Sequence, residues 1–230
     1  MSLRVGVLVF PGITQLDAAG PCELFASLPE TEVCLIGASR APIATGYGLA
    51  FHPASTYADA PELDVLCVPG GFGVNALMED EACLEFLRRR APTARFVTSV
   101  CTGALVLGAA GLLRGYRATT HWLSLEFLAA FGAVPSGERV VVDRNRITGG
   151  GVTAGIDLAL AVAAELAGET AAKKSQLYLE YAPAPPFACG SPDTAPVELV
   201  EAVRADARER QDARRAVVER AAGRLRDAAR

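Results

Sequence analysis

Arg95-Phe96-Val97-Thr98-Ser99-Val100-Cys101-Thr102-Gly103-Ala104 changes character at its cysteine. Residues 95–100 are short, apolar and β-branched, as in a strand covered on both faces. From Thr102 onward the spacing of apolar residues is helical. A residue on the tight turn between the two is held at the mouth of a sheet and faces a helix N-terminus, whose unpaired N–H groups favour an anion. For a thiol this predicts a lowered pKa and a larger thiolate fraction. The arrangement parallels the G-x-S-x-G nucleophile elbow, with Cys101 in place of Ser and Ser99 in place of the first Gly. Gly103 lets the helix approach the turn closely. An arbitrary cysteine is more often a small buried core residue; the strand-to-helix corner is what singles out Cys101.

The same alternation extends outward. Apolar runs at 3–10, 33–37 and 64–69 read as strands, and helical spacing recurs at 17–26, 79–90, 102–110, 122–131 and 155–167. Strands alternating with helices predict an α/β fold with a parallel sheet flanked on both faces. Residues 140–142 and 146–148, joined by Asp143-Arg144-Asn145, read as a β-hairpin. Gly149-Gly150-Gly151 follows, a glycine-rich wall that would be free to move with the helix after it. Pro183-Ala184-Pro185-Pro186 marks an extended connector. The division expected is a domain over 1–190 and a helical extension over 191–230. The last 35 residues carry 9 arginines and 7 acidic residues. They read as a long surface helix, laced by i,i+4 pairs such as Asp206–Arg210, that packs on the core or on a partner copy.

Composition narrows the function. The 230 residues are 51% hydrophobic and 21% charged with a net charge of −4, a globular profile without the basic face that nucleic-acid binding needs. No apolar run is long enough to cross a bilayer. The opening Met1-Ser2-Leu3-Arg4 runs directly into a strand-like segment, which predicts a cytoplasmic protein. Six cysteines are scattered without a CxxC pair and only His52 and His121 are present, so neither a disulfide framework nor a zinc site is expected.

Three further segments compete for roles beside Cys101. Val68-Pro69-Gly70-Gly71-Phe72-Gly73 follows a strand and would lie with Cys101 at the carboxyl edge of the sheet, where ligands collect. Its glycines allow backbone N–H groups to turn inward as an anion nest; alone, Pro-Gly-Gly is a turn. Asp17 follows the first strand. Thr14-Gln15-Leu16-Asp17 has the form of a capping box, yet a carboxylate there would also be placed to meet a thiolate and hold a proton as a general acid. Glu23, further along the same helix, is its competitor. His121 is either structural or the partner in a Cys–His dyad. With few fixed charges near these motifs, a largely apolar pocket is expected.

Taken in order, Phe10-Pro11-Gly12, Leu16-Asp17-Ala18-Ala19-Gly20-Pro21, Pro69-Gly70-Gly71, Ser99-Val100-Cys101-Thr102-Gly103-Ala104 and Ala118-Thr119-Thr120-His121-Trp122 resemble the ThiJ/PfpI superfamily over roughly residues 3–190. The resemblance implies a flavodoxin-like, class I glutamine-amidotransferase-type fold and a homodimer. Within the superfamily the chain looks most like the isocyanide hydratases, which add water to R–N≡C to give an N-substituted formamide without a cofactor. It implies Cys101 as nucleophile, Asp17 as its acidic partner, and Gly71 and Thr102 as backbone donors beside the sulfur. His121 is carried as a substrate-binding candidate. Peptidase branches place His directly after the cysteine; here that residue is Thr102. AraC-type regulators share the Asp17 and Thr120-His121-Trp122 patterns but append DNA-binding helices that the tail here cannot supply. The alternatives are a cofactor-free glyoxalase or deglycase acting on an aldehyde, and a redox sensor or regulatory binding protein using an oxidisable Cys101.

Overall fold

A computed structural model describes residues 2–228 of the chain. Its main sheet contains β1 (Leu3–Leu8), β2 (Thr31–Gly37), β5 (Ser55–Thr56), β6 (Val65–Val68), β7 (Phe96–Val100), β10 (Val140–Asp143) and β11 (Arg146–Gly149) in the order β10-β11-β7-β6-β1-β2-β5. Every neighbouring pair is parallel except β10·β11. The short pairs β3 (Ile43–Ala44) with β4 (Ala50–Phe51), and β8 (Arg117–Ala118) with β9 (Val134–Pro135), lie outside it. The five consecutive parallel strands β2-β1-β6-β7-β11 have the flavodoxin-like order 2-1-3-4-5. The hairpin expected at 140–148 forms, and its second strand joins the sheet through β7.

The continuous apolar runs follow from burial on both faces. β6 and β11 are buried at every position, as are the last four residues of β1 and of β7. On one side α1 (Gln15–Ala26), α5 (Ala154–Ala167) and α6 (Glu169–Tyr178) pack together. On the other lie α2 (Val74–Leu77), α3 (Glu81–Arg90), α4 (Gly103–Ala109) and α7 (Val197–Ala228). α1 and α5 approach through small residues: a Cβ on Gly20 would stand 3.1 Å from Ile156, and one on Gly155 would stand 3.2 Å from Pro21.

Two sequence expectations need correction. Trp122–Phe131 is a 3-10 helix, closed by Gly132 in the left-handed region; over three turns, apolar spacing does not separate a period of 3.0 from 3.6. The long C-terminal helix exists over Val197–Ala228, residues 229–230 of the expected extension lying outside the described ones, but Asp206–Arg210 is not its lacing. Its arginines reach other elements instead: Arg215 pairs with Glu126, and Arg220 and Arg224 with Glu79. Ala207, Val217, Val218, Ala221 and Ala222 are buried, and the last four belong to the same apolar core as the sheet. No helix among the described residues is long and apolar enough to cross a membrane.

Gly103 opens α4 where it touches the end of β6. A Cβ there would stand 1.9 Å from the Val68 carbonyl oxygen and 2.7 Å from that of Pro69. Gly103→Ala is expected to lose about 2–3 kcal/mol of stability in urea titration, as overpacking against backbone does. Gly137→Ala, where a Cβ meets nothing within 4 Å, should stay within about 0.5 kcal/mol of the parent.

Candidate active site

After β1 the chain turns to one side to form β2; β6 then pairs on the other side of β1. Such a switch point opens a crevice at the carboxyl ends of the strands. The loop after β1, the glycine loop after β6 and the corner after β7 meet there. Cys101 has φ +54°, left-handed backbone that non-glycine residues rarely adopt, as in a strained nucleophile elbow. The conformation is held from both sides. The Cys101 N–H is shared between the carbonyls of Gly149 (3.1 Å) and Gly150 (2.8 Å), and its carbonyl accepts from Thr120 Oγ1 at 2.7 Å. Gly149 and Gly150 are therefore bonded to the cysteine's own backbone. The glycine loop presses on the corner: a Cβ on Gly70 would fall 2.5 Å from the Thr102 nitrogen.

Asp17, fully buried in α1, does not cap its helix. Thr14 makes no side-chain capping bond, and Asp17 Oδ2 accepts instead from the Gly70 N–H at 2.9 Å. The capping-box reading therefore fails, and the carboxyl is engaged across the crevice. Burial raises it to about 7, against smaller lowering effects of the Gly70 N–H and the Cys101 thiol. Cys101 is raised well above an ordinary thiol, first by burial and then by the negative charge of Asp17, while the Thr102 N–H and side chain act in the opposite sense. This runs against the expectation of a lowered pKa: burial here outweighs the helix terminus. The pair is a buried thiol beside a carboxyl that titrates near neutrality.

The other expected residues fall as follows. Thr102 lies against the sulfur. Gly71 lines the cleft, but its N–H donates to Thr102 Oγ1 at 3.1 Å, so it orients that hydroxyl and is not a free donor. His121 lines the cleft too. Its Nδ1 accepts from the Leu123 N–H at 3.3 Å, leaving the ring proton on Nε2. Burial and the charges of Arg214 and Arg210 push it down to about 4, so it is neutral. No hydrogen bond among the described residues joins it to Cys101. Glu23 is exposed and takes no part. Among the described residues no three His, Cys, Asp or Glu side chains converge as a set that could hold a metal ion.

The cleft, about 170 Å³, is not the apolar pocket expected: besides Thr14, Tyr47 and Val152 it is lined by Arg210, Gln211 and Arg214 of α7. Sequence reasoning missed both arginines. The available signal was their spacing of four, which places them on one helix face, but nothing local showed which face turns inward.

The profile of the DJ-1/PfpI family matches residues 3–165. The chain is 53% identical over 225 residues to the isonitrile hydratase of Pseudomonas putida, covering 98% of this chain and 99% of that one. It is 37% identical over 115 residues to the HTH-type transcriptional regulator GbdR of Pseudomonas aeruginosa, but this covers 49% of the chain and only 31% of the regulator. The crystal structure of a ThiJ/PfpI family protein from Pseudomonas syringae superposes with a TM-score of 0.92 at 43% identity, over 95% of this chain and 91% of that one. An elbow cysteine facing a buried acid, in a sheet of this order and with relatives of this extent, has one reading: the chain belongs to the DJ-1/PfpI family.

Proposed function

We propose that the protein is an isocyanide hydratase, adding water to R–N≡C to release R–NH–CHO through a covalent intermediate on Cys101. The observation that carries this reading is the buried Asp17 carboxyl set against the Cys101 thiol. The near full-length similarity to the Pseudomonas putida isonitrile hydratase supports it.

The chemistry follows from one proton shared by two groups. On substrate binding, the Asp17 carboxylate takes the thiol proton. The sulfur attacks the isocyanide carbon, and Asp17 delivers that proton to the same carbon, giving the thioimidate R–N=CH–S–Cys101. Asp17, again a carboxylate, removes a proton from water as its oxygen adds to this carbon, and passes the proton to the imidate nitrogen. Collapse forms the formyl C=O and breaks the C–S bond, and the hydroxyl proton returns through Asp17 to sulfur. The Thr102 N–H and the positive charge of Arg214 favour the transient thiolate. Asp17 is poised for this exchange because a proton donor and acceptor works best with a pKa near the operating pH.

The competing readings use the same cysteine differently. An oxidant sensor requires a thiolate at rest, whereas burial and the Asp17 charge both push this thiol's pKa up. A glyoxalase or deglycase would turn over methylglyoxal faster than a simple isocyanide. Formamide formation from cyclohexyl isocyanide compared with methylglyoxal consumption separates these activities.

Cys101→Ala should abolish formamide production, and Asp17→Asn should slow it by at least about 100-fold, the usual scale for a lost general acid–base group. Mass spectrometry of the stalled reaction should find the adduct on Cys101; retained turnover in either variant removes that residue's role. The pH profile has a defined sign. Below about 7 Asp17 is itself protonated and cannot accept the thiol proton, so kcat/KM should fall as pH drops from 7 toward 5. A flat profile over that range contradicts the scheme. Stability should move the other way. The folded carboxyl binds its proton more tightly than the unfolded one, so its contribution is fully present below 3.8 and is lost as pH rises through about 7. Asp17→Asn should therefore be more stable than the parent by roughly 1–3 kcal/mol at pH 8, with the gap closing toward pH 4. A capping aspartate would instead lose stability.

A further inference from the structure

One wall of the cleft is cationic, and it comes from α7, beyond the residues 3–165 that the family profile matches. Arg214 is only 4% exposed. Its Nε donates to Asn75 Oδ1 (3.1 Å) and its Nη1 to Ser124 Oγ (2.9 Å), both neutral acceptors. Its Nη2 has no hydrogen-bond partner among the described residues, so it is the edge left for the cleft that Arg214 lines. Arg210, one turn earlier, lies over the Phe72 ring at 5.4 Å from its centroid. Neither arginine forms an ion pair among the described residues, although Arg215, Arg220 and Arg224 on the same helix all do.

A buried guanidinium without a counter-charge is costly to the fold, and a planar fork with a free edge matches a carboxylate. Arg214 remains a cation at neutral pH, held at about 10 by burial. The downward push that both arginines exert on His121 reports the same positive field inside the cleft. Asp17, the acid beside Cys101, is already engaged by the Gly70 N–H. The missing partner is therefore expected to arrive with the substrate.

We propose that Arg214 and Arg210 form a carboxylate-recognition subsite, and that the substrate class is small isocyanides carrying a carboxylate near the isocyano group. The cleft, about 170 Å³, is small beside the roughly 300–1,000 Å³ of pockets for drug-sized ligands. This favours a short spacer. For the shortest member the reaction is ⁻OOC–CH₂–N≡C + H₂O → ⁻OOC–CH₂–NH–CHO, with the carboxylate unchanged. This inference rests on the hydratase reading, and its test separates the two.

The test compares isocyanoacetate with its methyl ester, using the full-length protein and cyclohexyl isocyanide as a neutral reference. The acid is expected to exceed the ester at least tenfold in kcat/KM, chiefly through KM, and this ratio should shrink with added salt. Arg214→Met and Arg210→Met should each bring the ratio toward one. If the arginines serve only the thiolate, acid and ester fall together and the ratio holds, which overturns the subsite. Should Arg214→Met fail to fold, the exposed Arg210 variant and inhibition of the parent by N-formylglycinate, with N-methylformamide as the uncharged control, test the subsite in its place. Inhibition no stronger by the anion than by the control overturns it. An ester hydrated as well as the acid overturns the subsite alone. No hydration of any isocyanide overturns both readings.

Discussion

Burial of the Asp17 carboxyl against the Cys101 thiol sets the terms for the rest of the site. Moving a carboxyl from 3.8 to about 7 corresponds to roughly 4 kcal/mol of preference for its neutral form, a sizeable share of a domain's net stability. Nothing about starting α1 requires this, since a capping carboxylate is stabilising because it is solvated and charged. The surrounding backbone is shaped to hold the pair. Gly70 gives its N–H to Asp17 and leaves room for Thr102, Gly103 admits the end of β6, and the Gly149 and Gly150 carbonyls anchor the cysteine in its left-handed turn. The position that desolvates the thiol also places a carboxyl beside it, so one burial raises both groups.

Much of this was legible in the sequence because it depends on local rules. Strands buried on both faces read as unbroken apolar runs, and the cysteine was marked by the change from strand to helix and by Gly103. The sense of the thiol's pKa was not legible. The helix terminus is a local feature, whereas the desolvation that outweighs it depends on loops some thirty and eighty residues away in the chain. Whether Asp17 caps its helix or faces the crevice was equally closed to sequence physics, because it turned on whether the nearest N–H belonged to residue 17's own helix or to Gly70. The 3-10 form of Trp122–Phe131 was hidden by its near-helical spacing, and the charged lining of the cleft by the unknown packing face of α7.

That packing face follows from a division of labour along the helix. Its buried small residues seat it on the core. The exposed pairs from Arg215, Arg220 and Arg224 to Glu126 and Glu79 contribute little individually, roughly 0–1 kcal/mol each, but they define its register over the crevice. With that register set, residues 210, 211 and 214 line the cleft that also holds Cys101.

The reactive pair and the wall that faces it are thus encoded far apart: one on the loops of the sheet, the other on the final helix. On the proposed reading, bond-making and choice of molecule are then separable. Substitutions at the cleft-lining positions of α7 would retune which compounds are admitted while the pair on the sheet loops stays intact. Diversification of such a lineage should leave its record on that one face of the helix.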